Sequence, residues 1–436
     1  MPAPAIATDS DPVLPTIPSS APPLPGAWLV VALLIPVALL NYLDRQMLAA
    51  MKPSLTADLT DIQSQAHWGL VLGSFKWVYA LLSPIGGYLA DRLNRKRLIL
   101  FSLCAWSAVT CWTGCVRSYE ELLWARGLMG LSEACYIPAA LALIADFHLG
   151  ATRSRAVGLH QTGIYAGLIL GGFSGYAAES PWLGWRWTFA LAGAVGLLYS
   201  LPLSWLLRDP PQKHLDRPSP FGGSESRSSS PQQAAVQLLG NRDFLLLVLY
   251  FTLPALAGWV VRDWMPDILR ERFRLGEGRA GVTAVLYVQL ASLVGAAVGG
   301  TLADRWMTWN PRGRIYTSAL GMSLFLPSLF GVGHAASVTA AICFLLLFGL
   351  GWGCFDSNNM PILCQIVRPE LRATGYGVMN LVSISCGGLA DWWFGLLRDR
   401  DVPLDLIFGT FAGIALLSIG IVLLIRPRQT EPPLSL

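Results

Sequence analysis

Apolar residues in this chain fall into long, nearly unbroken runs separated by short polar interruptions. This is neither the strict alternation of a half-buried strand nor the narrow stripe of a surface helix. About 20 mainly apolar residues cross a bilayer as a helix. Twelve such runs can be marked off, near 27–51, 66–90, 98–116, 121–146, 154–178, 185–207, 243–266, 280–303, 314–333, 339–366, 372–397 and 402–425. They are too long and too continuous for barrel strands, which need about 9–11 alternating residues. The pattern predicts an all-α membrane protein with twelve transmembrane helices.

Composition supports this reading. Hydrophobic residues make up 53% of the chain and charged residues 13%, against about 25% charged in soluble domains. The composition argues against a soluble enzyme, a secreted disulfide scaffold and a disordered chain. The cysteines at 104, 111, 115, 135, 343, 354, 364 and 386 sit in apolar segments without a CxxC pair. They are expected to act as small buried hydrophobes. Residues 1–26 are rich in Pro, Ala and Ser and hold no Lys or Arg, so they read as a disordered tail rather than a signal peptide. The net charge of +4 includes no block suited to nucleic acid. With the N-terminus inside, inner segments carry about twice the Lys and Arg of outer loops. Both termini are therefore expected in the cytoplasm, in an inner or plasma membrane. The four arginines between 270 and 279 run against this rule.

The longest polar stretch, 208–242, is central and rich in Pro and Ser, and reads as a cytoplasmic linker. It separates two expected six-helix bundles, 27–207 and 243–425, with 426–436 as a second cytoplasmic tail. The halves resemble each other. Gly86-Gly87-Tyr88-Leu89-Ala90-Asp91-Arg92 recurs as Gly299-Gly300-Thr301-Leu302-Ala303-Asp304-Arg305. Gly130, Glu133 and Pro138 recur as Gly353, Asp356 and Pro361. Duplicated helical units of this kind place a binding site between the halves, and rocking them gives alternating access.

The loop after the second helix reads Gly87-x-x-x-Asp91-Arg92-x-Asn94-Arg95-Lys96-Arg97. Gly87 is expected to permit close helix contact. Asp91 is placed to cap a neighbouring helix N-terminus, and Asn94 to supply a left-handed turn. The run resembles the signature of the major facilitator superfamily, with Asn94 in place of the usual second glycine. The resemblance implies that Gly87, Asp91, Arg92, Arg95, Lys96 and Arg97 gate the cycle, with Asp304 and Arg305 as their counterparts. Further residues narrow the branch: Asn41-Tyr42-Leu43-Asp44-Arg45-Gln46, Arg126 to Ala134 with Pro138, Arg155-Ala156-Val157-Gly158, and Gly184-Trp185-Arg186. These resemble Spinster-like transporters. The first stretch is also similar to anion:cation symporters of sugar acids.

Ionisable residues within spans are costly and usually face a hydrated cavity or one another. Asp44, Lys76, Arg126 and Glu133 lie at overlapping depths, and Arg126 and Glu133, seven apart, share a helix face. Asp44 and Glu133 are the candidate proton-binding carboxylates. Arg126, Arg45 and Lys76 are candidates to hold an anionic substrate or to pair with those carboxylates. The Spinster resemblance implies coupling and gating roles for Asp44, Arg126 and Glu133. A structural alternative is a buried Asp44–Arg126 ion pair, with Arg45 reaching headgroups and Lys76 snorkelling. Asp356, the repeat partner of Glu133, is expected to face the cavity with Asn358 and Asn359. His160 and Gln161 are further cavity candidates, as is Trp352. Arg262, Asp263 and Asp391 are expected at solvated helix ends.

No GxxxxGK[ST], HExxH, GxSxG or Cys/His cluster is present, so no enzyme, cofactor or metal is expected. The reading is a secondary transporter, monomeric, that moves a small organic solute with protons, an organic anion or sugar acid being favoured. The Spinster resemblance implies an amphipathic lipid instead. A non-transporting sensor of the same fold would usually need a signalling domain.

Overall fold

The computed structural model describes residues 23–148, 152–209, 236–368 and 371–426. Most of the expected N-terminal tail, the linker and the C-terminal tail lie outside these residues. Long and short helices follow one another among the described residues. They are α1 (Ala27–Ala50), α2 (Lys52–Asp58), α3 (Gln65–Arg92), α4 (Arg95–Thr113), α5 (Tyr119–Glu133), α6 (Tyr136–Phe147) and α7 (Arg153–Glu179). The others are α8 (Gly184–Leu206), α9 (Arg242–Phe273), α10 (Glu277–Met307), α11 (Gly313–His334), α12 (Val338–Ile366), α13 (Arg372–Asp399) and α14 (Leu404–Leu424). They form two six-span bundles, α1–α8 and α9–α14. Serines 64, 118 and 337 and asparagines 94 and 241 cap helix N-termini with their side chains, satisfying amides a helix leaves free.

The fourth span is broken in two, at Ala134–Cys135. Pro138 has no N–H to give the Ala134 carbonyl, and its ring crowds that carbonyl. Neighbouring helices exploit the break. The Ser102 hydroxyl donates to the Ser132 carbonyl, and α3 comes so close at Gly86 that a Cβ there would stand 2.4 Å from the Ala134 oxygen. The repeat proline, Pro361, leaves α12 continuous.

The halves meet along α3 with α13 and α7 with α10, through glycines that admit the opposing backbone. A Cβ at Gly69 would stand 2.5 Å from the Asp391 carbonyl, and one at Gly281 2.4 Å from that of Gly172. Both contacts lie toward the end of the bundle remote from the chain termini, called here the far end. The arginine-rich last turn of α9 has a local role there. Arg272 donates to the Gly333 carbonyl at 2.6 Å, closing the end of α11.

The cysteine expectation is only partly met. None is in a disulfide, but only Cys354 is buried, and Cys115 and Cys343 are exposed. In a membrane helix, an apolar surface residue faces lipid as readily as the interior.

Candidate functional site

Glu133, the last residue of α5, is fully enclosed. Arg45 of α1 meets it, with Nε and one terminal nitrogen each 2.6 Å from Oε2. The Arg45 guanidinium is held among the rings of Tyr42, Phe75 and Tyr79 at 4.7, 4.8 and 4.8 Å, where aromatic faces attract a cation. Asp44 turns the other way and accepts a hydrogen bond from Thr110 of α4 at 2.8 Å. Arg126 lies over Phe75 at 4.7 Å and against the Met129 sulfur at 3.1 Å, within electrostatic reach of Glu133, Asp44 and Asp263. Asn41 adjoins the Glu133 carboxylate, while Asp44 Oδ1 and Arg126 Nε make no hydrogen bond among the described residues. The ion pair formed is Arg45–Glu133, not the Asp44–Arg126 pair of the structural alternative. Arg45 does not reach for headgroups: one position along α1 turns the chain about 100°, enough to point it at α5.

Lys76 does not snorkel either. Its ammonium binds Asp391 of α13 and Asp263 of α9 and lies 4.3 Å from the Trp259 ring. Asp263 and Asp391 are buried, not solvated ends as expected, because the cation they neutralise is on the opposing half. Arg262 stacks 5.6 Å from Tyr42 and 5.2 Å from Trp259, so Tyr42 stands between Arg45 and Arg262. Sequence reading missed Lys52, whose ammonium joins Gln65 to Asp267 across the halves. Its position at the border of a span and a loop masked it.

In the second half, Asp356 is solvent-accessible in the body of α12. It lies within electrostatic reach of Tyr165 on α7 and Tyr376 on α13, whose hydroxyls pair with Gln161 and Asn380. Gln161 and Asp356 therefore share a space between the halves. Asn358 and Asn359 are buried, and Asn358 donates back to the Cys354 carbonyl of its own helix at 2.9 Å. His160 is buried with its Nε2 3.0 Å from the Tyr136 hydroxyl. Trp352 fills the room left by Gly258, where a Cβ would stand 2.1 Å from its ring.

The basic loop organises the near end within each half. Arg95 pairs with Asp146. Asn94 adopts extended backbone, φ −60°, rather than the left-handed turn expected, because its side chain caps α4 at Arg97 N. It also donates to Asp209 at 2.7 Å, while the Lys96 amide donates to Asp209 at 3.1 Å. Arg92 stacks 4.5 Å from Tyr88, and Arg305 5.9 Å from Trp309. Asp304 pairs with Arg314 at 3.0 Å. The Asp91 side chain lies outside the described residues. Close contact is made by Gly86 and Gly299, not by Gly87 or Gly300, which face open space. The sequence expectation was one residue out.

Every hydrogen bond and ion pair between the halves, among the described residues, lies from the middle of the bundle to the far end. These include Lys76 with its aspartates, Lys52–Asp267, Ser54–Glu277 at 2.8 Å and Trp77 to the Ser385 carbonyl at 3.1 Å. Opposed bundles closed at one end, with buried charges beside the seam, are the arrangement of an alternating-access carrier. The Major Facilitator Superfamily profile matches residues 34–390. The chain belongs to that superfamily. As a major facilitator, it is a multi-pass integral membrane protein, and it is similar to Spinster proteins. It is 29% identical over 399 residues to Protein spinster homolog 1 of Mus musculus, covering 85% of this chain and 73% of that one. Solved structures share the fold, two of them with the following similarity. One is a bacterial homologue of the human lysosomal transporter Spinster, inward-facing and occupied, with TM-score 0.76 and 20% identity over 92% of this chain and 97% of that one. The other is a D-xylose-proton symporter, with TM-score 0.73 and 16% identity over 92% and 98%.

Proposed function

We propose that this major facilitator is a proton-coupled carrier, not an enzyme, whose two bundles, 27–207 and 243–425, rock about the seam just described. The observation that carries the reading is the Glu133–Arg45 pair. Its carboxylate is enclosed, has one oxygen on the guanidinium, and sits at the break in the fourth span, next to Asp44 and Arg126. Arg45 competes with a proton for Glu133. Both residues lie in the first bundle, so the switch is a side-chain rearrangement that accompanies the rocking: when Arg45 turns away from Glu133 the proton replaces it, and when Arg45 returns the proton is released. With the termini in the cytoplasm, the closed far end is the outside and the state is inward-facing. The description of the bacterial Spinster homologue as inward-facing supports this.

The solute is an organic anion whose charged group binds at Arg126. Lys76 and Arg45 are occupied by carboxylates, which leaves Arg126 as the cation of this cluster without one in contact among the described residues. An amphipathic lipid with an anionic head is the second reading. The aromatic wall favours it: Phe251 stacks on Phe355 at 6.0 Å and lies 6.5 Å from Tyr376, and Trp352 adjoins Phe355 at 5.5 Å.

Thermal unfolding of the purified protein with sugar acids, neutral sugars and lysolipids separates the readings, since a ligand bound to the native state stabilises it by mass action. A sugar-acid shift that Arg126→Gln abolishes supports the first reading, and a lysolipid shift supports the second. A shift with neutral sugars alone contradicts both.

A further inference from the structure

Each half ends its fifth span with a carboxylate, and each carboxylate binds the first amides of the other half's second span. Glu179, the last residue of α7, accepts from Glu277 N at 2.5 Å and Gly278 N at 3.2 Å, at the start of α10. Asp399, the last residue of α13, accepts from Gln65 N at 2.7 Å and Ala66 N at 2.8 Å, at the start of α3. The four positions obey the internal repeat, since α3 and α7 of the first half correspond to α10 and α13 of the second.

The first amides of a helix have no partner inside it and carry the positive end of its dipole, so a carboxylate there makes charge-assisted bonds. Here the cap comes from the opposing half. Helix α10 has no cap of its own, because its N-cap is Gly276. A Cβ at 276 would stand 2.5 Å from Glu179 Oε1, so glycine is what leaves the carboxylate its place. Helix α3 keeps Ser64 for the His67 amide, at 3.1 Å, and leaves the two preceding amides to Asp399. Gly395, one turn before Asp399, lets α13 reach them, with a Cβ there only 2.3 Å from the Gln65 carbonyl.

We propose that Glu179 and Asp399 are positioning residues of the transport cycle: two reciprocal latches that hold the far end shut and release together. The proposal rests on the alternating-access reading. Because each latch joins one bundle to the other, rigid-body opening breaks both. Weakening one raises the open population and exposes the amides of the other. A cap that served only its own helix would have no such effect.

The test is hydrogen exchange of the full-length protein in lipid nanodiscs, read at segments 65–68 and 277–280. Glu179→Gln is expected to speed exchange about fivefold in both segments, the weight of a carboxylate at a helix N-terminus. Gly276→Ala, which keeps every charge but displaces the carboxylate, is expected to do the same. Asp399→Asn is expected to speed 277–280, and Asp399→Glu to stay near wild type. Faster exchange confined to the segment that lost its carboxylate, or none at all, overturns the proposal. If Glu179→Gln fails to fold, Gly276→Ala and Asp399→Asn decide on the same readout. No solute is needed, so a failure here is distinct from a failure of the proton-coupling reading.

Discussion

Gly86 of α3 lies directly against the carbonyl of Ala134, the residue after Glu133. The glycine just before the Gly87 motif thus touches the break in the fourth span beside its buried carboxylate. Gly86→Ala is expected to force the helices apart and destabilise the protein by about 1–3 kcal/mol, the usual scale of overpacking. Gly87→Ala, facing open space, is expected to stay within about 0.5 kcal/mol. Denaturant unfolding of the two variants checks the contrast. Equal losses would mean that the contact is not what constrains residue 86.

Lys76→Met strands two buried carboxylates. Removing one partner of a buried pair costs about 3–5 kcal/mol. Lys76→Met combined with Asp263→Asn and Asp391→Asn is expected to recover most of that loss in thermal unfolding. A triple variant no more stable than the single one would show that the ion pairs are not responsible.

Pro138→Ala restores the amide missing from the fourth span. Exchange at 134–139 is expected to slow as α5 and α6 join, and proton-driven uptake to fall. Unchanged exchange would place the cause of the break in the surrounding packing.

Asp356 and Asn358 are two residues apart but point differently, one exposed and one buried. Asp356→Asn is expected to change solute affinity about tenfold, as for a lost charge-assisted contact, with little change in unfolding temperature. Asn358→Ala is expected to lower stability by about 1 kcal/mol and leave affinity alone. Titrations with the solute, run beside thermal unfolding, read both. The reverse outcome would exchange their roles.

The spans, the duplication and the buried cluster were legible in the sequence because long apolar runs, repeated Gly–Asp spacings and charges within lipid-crossing segments are one-dimensional signals. Partners were not. Whether Glu133 meets Arg45 or Arg126 depends on helix rotation, and neighbouring residues differ by about 100°. The same rotation separates Gly86 from Gly87. Lys76, Asp263 and Asp391 looked unrelated because nothing in the chain says which faces of the halves oppose each other. The break at Ala134 was hidden because a proline within a span breaks it in one half and not in the other, with Pro361 inside a continuous α12.

Uptake by Glu133→Gln proteoliposomes is the most direct measurement. An imposed pH gradient and solute counterflow are run on the same preparation. The account predicts that the gradient no longer drives accumulation while counterflow persists, because the pocket and the rocking survive without the exchangeable proton. Gradient-driven accumulation at the wild-type level would contradict it.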